Sequence, residues 1–258
     1  MNQTPYIIGG LGMVGGAMAR AFEGSRVIDI AEPSTLKLYD EMMPGDVAFV
    51  CVPTPYDPVS GAFDMSAVDD ALGRVPYDVV TCLRSTTDRY YAPSMRDPDV
   101  FHPEFLRAAH ADEDFRNAKV RVYGTENRSH VDVIEHMYAA AGIVAAIIVM
   151  TPQEACLLKL FHNAWCAVNV SLANEFAVFY EDMTTGNWNE DFRDHLLHLL
   201  EVNGKDFRAF SHVPGPDGKR GFGGACFPKD LSALRDVMYL HDTVDGALRT
   251  NAKVRLPE

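Results

Sequence analysis

The segment Gly221-Phe-Gly-Gly-Ala-Cys226-Phe-Pro-Lys229-Asp230 places a cysteine at the end of a glycine-rich loop, directly before a predicted helix. Oriented backbone amides and a nearby lysine both stabilise a thiolate, so Cys226 has the setting of a nucleophile. Cys51, Cys82, Cys156 and Cys166 fall inside strand or helix patterns and read as small apolar residues. Lys159 and Asn163 are four residues apart on a predicted helix and so share a face. A cation beside an amide can stabilise a developing oxyanion. The spacing alone equally suits a solvated helix edge. In His102-Pro-Glu104-Phe-Leu-Arg107 a carboxylate lies in a short non-helical stretch. Glu104 there can activate a water, or can simply be an exposed loop glutamate.

A second constellation is Gly10-Leu-Gly12-Met-Val-Gly15, which follows a predicted strand, opens a predicted helix, and is followed at the end of the next strand by Asp29. Gly10 suits a tight turn, Gly12 lets backbone approach a pyrophosphate, and Gly15 permits close helix packing. Asp29 can accept from a ribose hydroxyl. A carboxylate at that point would repel a 2′-phosphate, which favours NAD over NADP.

These residues need a frame. Tyr6–Ile8, Arg26–Ile30, Val47–Val52, Val79–Leu83, Val120–Tyr123 and Ile143–Met150 are short apolar runs that read as strands. Val14–Phe22, Ser66–Leu72 and Arg128–Ala141 read as helices between them. Alternation of this kind predicts an α/β fold, a Rossmann-type parallel sheet covered on both faces. Thr151-Pro152 offers a helix start, and an apolar stripe free of Gly and Pro runs on to about Glu181. The remainder reads as helical, with a turn-rich loop leading into Cys226. The expected domains are 1–149, binding dinucleotide, and 150–258, an all-helical central domain carrying the cysteine.

The chain of 258 residues is 47% apolar, enough for a sizeable core, and carries 23 basic against 36 acidic residues, a formal net charge of −13. That balance argues against nucleic acid or an anionic membrane as partner. No run of about 18 apolar residues occurs, and the first ten residues carry no leader pattern, so a soluble, untargeted protein is expected. Five widely spaced cysteines without a CxxC pair suggest neither a zinc site nor a redox couple, and a reducing cytoplasm is the simplest setting. No metal is expected.

Together and in this order the motifs resemble the UDP-glucose/GDP-mannose dehydrogenase family. GFGGACFPKD looks like its catalytic-cysteine signature almost letter for letter. Similar family patterns appear in Asp46–Pro55, Ser85-Thr86-Thr87, Pro103–Arg107, and from Glu154 through Lys159 and Asn163 to Glu175. The resemblance implies NAD as cofactor, held by Gly10, Gly12, Met13, Val14, Gly15, Asp29, Pro53, Thr54, Thr86, Glu104 and Lys229. It implies oxidation of a sugar C6 alcohol to a carboxylate in two hydride transfers, with Cys226 forming a thiohemiacetal and then a thioester. In that scheme Lys159 and Asn163 stabilise oxyanions, while Glu104 and Asp230 manage protons and water. Thr54 lies near the reacting sugar, and Phe105, Leu106, Lys159, Asn163, Arg208, Phe222 and Gly223 contact it. The form of the cysteine motif points to UDP-glucose as the nucleotide sugar, and the resemblance implies a homodimer through the helical domain.

Departures from the family accompany the match. The stretch between Asp29 and Asp46 is abbreviated, and the chain reaches Glu258 soon after the cysteine helix, where the family carries a third domain that grips the nucleotide. Remote binding energy of that kind serves orientation and rate. One expectation is therefore an active dehydrogenase. The alternative is a weak or inactive NAD-binding protein that needs a partner chain to hold the nucleotide sugar. A single-hydride hydroxyacid dehydrogenase without a nucleophilic cysteine is the third.

Overall fold

All four residues of β1 (Pro5–Ile8) and of β3 (Val47–Val50) are buried, the pattern of strands covered on both faces. The computed structural model describes residues 3–57, 59–87, 99–184, 186–202, 213–215, 217–224 and 227–255. The chain divides into two units, Met1–His162 and Asn163–Glu258. In the first, β1 and β3 pair with β2 (Arg26–Ile28), β6 (Val80–Leu83), β7 (Asp99–Phe101), β8 (Val120–Gly124) and β9 (Ala146–Met150) in a seven-stranded sheet of order β2-β1-β3-β6-β7-β8-β9. Every pairing is parallel except that of β7 with β8, which meet antiparallel at Phe101 and Gly124. A separate hairpin joins β4 (Tyr56–Asp57) to β5 (Ala62–Phe63).

One sheet face packs against α2 (Ser66–Arg74), a 3₁₀ segment at Pro33–Glu41 and the first turns of α5 (Pro152–Thr184), with Val68, Tyr39, Ala155 and Cys156 in its core. The other packs against α1 (Met13–Ala21), α3 (Ala111–Arg116) and α4 (Arg128–Ala140), where Phe22 makes ring contacts with Phe49, Phe115 and Tyr138. The Rossmann-type fold read from the alternation of strands and helices is thus present.

Three local differences have physical causes. β7 was not foreseen, because three residues ahead of His102-Pro103 are too few to show a period. The predicted strand from Ile143 begins only at Ala146. Gly142, at φ +72°, ends α4 in a Schellman motif: its amide donates to Ala139 O, and the amide of buried Ile143 donates to Tyr138 O. The unit boundary falls within α5 rather than at residue 150, because Ala155 and Cys156 are fully buried in the first unit's core.

The start of α5 is a capping box. Thr151 Oγ1 accepts from Glu154 N at 3.2 Å, and the Glu154 carboxylate accepts from Thr151 N at 3.0 Å. In the second unit the rest of α5 is joined by α6 (Glu190–Val202), α7 (Phe227–Val237) and α8 (Asp242–Val254). Tyr180, Trp188 and Phe192 close the α5–α6 turn, and buried Glu175 of α5 accepts from Thr243 N at the start of α8. Among the described residues no helix is long and apolar enough to cross a membrane.

Two glycines in helices should respond oppositely to alanine. A Cβ on Gly15 would stand 2.4 Å from Gly9 O and 2.8 Å from Gly10 Cα, both backbone, so the loop or α1 must shift. Gly73, in α2, has nothing within 4 Å. Thermal melts should show Gly15→Ala destabilised by at least about 1–3 kcal/mol and Gly73→Ala stabilised by roughly 0.5–1 kcal/mol. Equal melting temperatures for the two variants would refute the packing role of Gly15.

Candidate active site

The loop from β1 to α1 turns at Gly9, whose φ is +78° and whose Cβ would lie 2.7 Å from Cys51 O. The tight turn expected of Gly10 is therefore made one residue earlier. Gly10 instead presses against Val27, whose Cγ1 would be 2.6 Å from an added Cβ. Gly12 is the N-cap of α1 and brings no side chain to the first amides, those of Met13, Val14 and Gly15. Asp29, just past β2, orders this loop: its Oδ2 accepts from Leu11 N at 3.0 Å and its Oδ1 from Ala31 N at 3.0 Å. A cavity of about 470 Å³ opens beside these groups, lined by Gly9, Gly12, Asp29, Pro53, Tyr39 and Arg74 among others. An uncapped helix start, a cradle that Cβ atoms would fill and a carboxylate at the second strand's end fit a dinucleotide's pyrophosphate and ribose.

Next along the sheet, Thr54 Oγ1 donates to Thr86 O at 2.7 Å and Ser85 Oγ donates to Val52 O at 2.6 Å. These bonds tie together the loops that follow β3 and β6. Arg84 lies at the same point, 4% exposed, and its Nε and Nη1 have no hydrogen-bond partner among the described residues. Sequence reading did not single it out, since nothing in its neighbours' types signals a buried cation.

Glu104 and Lys159 are brought together. The Lys159 ammonium is 2.8 Å from Glu104 Oε1 and also donates to Glu104 O, while Glu104 Oε2 accepts from Leu106 N at 2.7 Å. The two side chains are 5% and 14% exposed, so Lys159 is not a solvated helix edge and Glu104 is not an exposed loop residue. Phe105 lies under the ammonium, 5.3 Å from ring centre to nitrogen, and stacks edge-on with His162. Arg107 closes the loop on Asp114, whose carboxyl it pulls down to about 2 through side-chain and backbone hydrogen bonds.

His102 anchors the same loop from beneath. Its Nδ1 is 2.7 Å from Val122 O, which can only accept, so Nδ1 carries the hydrogen and Nε2 accepts from Tyr138 OH at 3.1 Å. Burial, reinforced by the Arg84 charge, holds its pKa well below the ordinary histidine value. Burial likewise pushes the Cys51 thiol up to about 12 and raises that of Cys82, so neither is a nucleophile at neutral pH. Cys156 is buried and donates to Thr87 O; Cys166 is exposed on α5.

In the second unit, Asn163 lies on α5 and Asp230 in the first turn of α7, which also includes Lys229. The amide of Phe222 donates to Asn251 Oδ1 at 2.7 Å, and Gly223 faces Arg255. Cys226 and Arg208 fall outside the described residues. No group of three or more His, Cys, Asp or Glu side chains suited to a metal occurs among the described residues.

Fold and glycine loop define a Rossmann-type dinucleotide-binding α/β protein continued by a helical region. Residues 153–253 match the central domain of the UDP-glucose/GDP-mannose dehydrogenase family. It is 29% identical over 233 residues to a UDP-glucose 6-dehydrogenase of Rickettsia bellii, covering 82% of this chain and 50% of that protein. The structure of a ternary complex of GDP-mannose dehydrogenase from Pseudomonas aeruginosa has a TM-score of 0.76 at 22% identity, over 98% of this chain and 69% of that one. A UDP-glucose dehydrogenase from Pyrobaculum islandicum gives 0.61 at 24% identity, over 98% and 68%. At these identities the likenesses establish the fold. The chain spans about half the length of the curated relatives it matches.

Two consequences follow for stability. Lys159→Met strands the Glu104 carboxylate in a mostly buried position and should cost roughly 3 kcal/mol in denaturant melts, part of it recovered by adding Glu104→Gln. A cost below about 0.5 kcal/mol would mean the pair is solvated. His102 is neutral when folded and takes up a proton when unfolded below about pH 6.5, the ordinary histidine value. Stability should therefore fall as pH drops below that point, by up to roughly 1.4 kcal/mol per pH unit from this group. His102→Gln should flatten that slope, and an unchanged slope would assign it to other groups.

Proposed function

We propose that the chain oxidises the C6 alcohol of a nucleotide sugar, UDP-glucose to UDP-glucuronate, with NAD as the oxidant. The observation that carries this reading is the family match over residues 153–253, which takes in Lys159, Asn163, Cys226 and Asp230. NAD supplies the two hydride-accepting steps that separate an alcohol from a carboxylate. Gly10, Gly12 and Gly15 leave room for its pyrophosphate at the amides of Met13, Val14 and Gly15. Asp29 accepts from its ribose, and Pro53, Thr54, Thr86, Glu104 and Lys229 flank it further along.

Cys226 adds as thiolate to the aldehyde carbon, and the resulting thiohemiacetal gives up the second hydride to become a thioester. Water attacks the thioester carbonyl, the carbon–sulfur bond breaks, and the carboxylate and the Cys226 thiolate are released. Lys159 and Asn163 stabilise the oxyanions in these steps; Glu104 and Asp230 hold the water and carry its proton. The low exposure of the Lys159–Glu104 pair supports this assignment, because a cation in a poorly solvated place acts strongly on developing charge. Phe105, Leu106, Arg208, Phe222 and Gly223 contact the sugar nucleotide.

A homodimer is proposed through the helical region, supported by the large exposed side chains Trp165, Val168, Val170 and Met183 on α5. A reducing cytoplasm is the proposed setting. Purified protein given UDP-glucose and NAD should form two NADH per sugar, and Cys226→Ala should stop it. One NADH per sugar, insensitive to Cys226→Ala, would replace the thioester route by a simple alcohol oxidation. Absence of turnover in a protein that binds NAD would favour the binding role that depends on a partner chain.

A further inference from the structure

The cavity beside the glycine loop has a wall that the pyrophosphate and ribose do not use. It is formed by Leu36 and Tyr39 of the 3₁₀ segment and by Asp70, Ala71 and Arg74 of α2. Leu36, Tyr39 and Ala71 all contribute to the apolar core on that side of the sheet, and the charged residues of this wall are Arg74 and its partner Asp70. Its guanidinium lies over the Tyr39 ring, 5.9 Å from the centroid. Asp70, one turn earlier, holds it in two bonds: Nε to Oδ2 and Nη2 to Oδ1, each 3.0 Å. Tyr39 is itself 8% exposed, and burial pushes its hydroxyl up to about 12, so it stays a neutral platform.

A guanidinium gripped on one edge by a carboxylate keeps a fixed plane, and that plane stacks well on aromatic rings. We infer that Arg74, clamped by Asp70, recognises the adenine ring of the dinucleotide, which it covers as the cationic part of this wall. This inference rests on the cofactor reading above. Arg74 acts as a binding residue for the half of the cofactor remote from the chemistry. A simple surface ion pair between i and i+4 on a helix would leave cofactor affinity untouched.

The test measures binding by calorimetry on the full chain, with NAD, AMP and nicotinamide mononucleotide as separate probes. Arg74→Met keeps the length and helix preference of the side chain while removing its charge and plane. NAD and AMP affinities should each fall about 5–30-fold, the range of a partly desolvated cation–aromatic contact. The mononucleotide, which lacks adenine, should bind as to the unaltered protein. Asp70→Asn, which loosens the clamp but keeps the arginine, should give a smaller loss for the same two probes. Unchanged NAD affinity in Arg74→Met would overturn the inference, as would an equal loss for the mononucleotide, which marks general loosening. If the unaltered protein binds none of the three, the cofactor reading itself fails.

Discussion

The contact between Lys159 and Glu104 ties the helix that leaves the sheet to the loop that leaves β7, and much of the first unit is arranged to make it possible. Neither partner tolerates its place alone, since a charge with so little exposure needs both a counter-charge and hydrogen bonds. The carboxylate's second oxygen is occupied by Leu106 N, and the ammonium's second bond goes to Glu104 O, so loop backbone and helix side chain are fixed together. Beneath them, the neutral His102 bridges Val122 and Tyr138 and keeps the loop in register with β8 and α4. Arg107 and Asp114 pin the far end. The loop thus owes its shape to polar bonds on every side together with Phe105 and Leu106, which pack against the core on the two faces of the sheet.

The glycine loop solves a different problem by omission of side chains. Gly9 leaves β1 with a backbone that other residues adopt only under strain, and Gly15 lets α1 come down against it until the two backbones touch. The consequence is electrostatic. A helix whose N-cap is glycine offers its first amides to whatever lies in front, and here that space is the cavity shared with Asp29. Asp29 spends one bond from each oxygen on loop amides, yet a carboxylate has further lone pairs to offer. The two loop bonds therefore leave Asp29 free lone pairs with which it can also accept from a hydroxyl.

How much of this was legible in the sequence depended on whether the signal was periodic and local. Apolar runs such as Val47–Val52 and the Thr151-Pro152 helix start declare themselves within a few residues; the strand is there, ending at Val50, and the helix starts at Pro152. β7 does not, being three residues long, and the end of α4 hid inside an apolar run because Ile143 is buried as the flank of a helix cap rather than as a strand residue. At the site, the types and spacing marked Lys159 and Glu104 separately. Their pairing across 55 positions is a product of the fold and has no sequence pattern. Arg84 and Arg74 were missed for a related reason: an arginine's burial or stacking is decided by residues distant in the chain.

The thiols show why the choice of nucleophile cannot rest on cysteine count. Cys51 lies just after β3, close to the cavity and the Thr54–Thr86 link, and position alone would recommend it. Desolvation opposes that role, since a thiolate in poorly solvated surroundings is disfavoured and its proton is held to about 12. Cys82 and Cys156 sit deeper still. Cys166 has exposure but lies well inside α5, where that helix's own free amides are not available to it. A glycine-rich loop ahead of a helix start is the environment that combines access with amide dipoles. In this sequence that environment surrounds Cys226, directly before α7, and none of the other four cysteines.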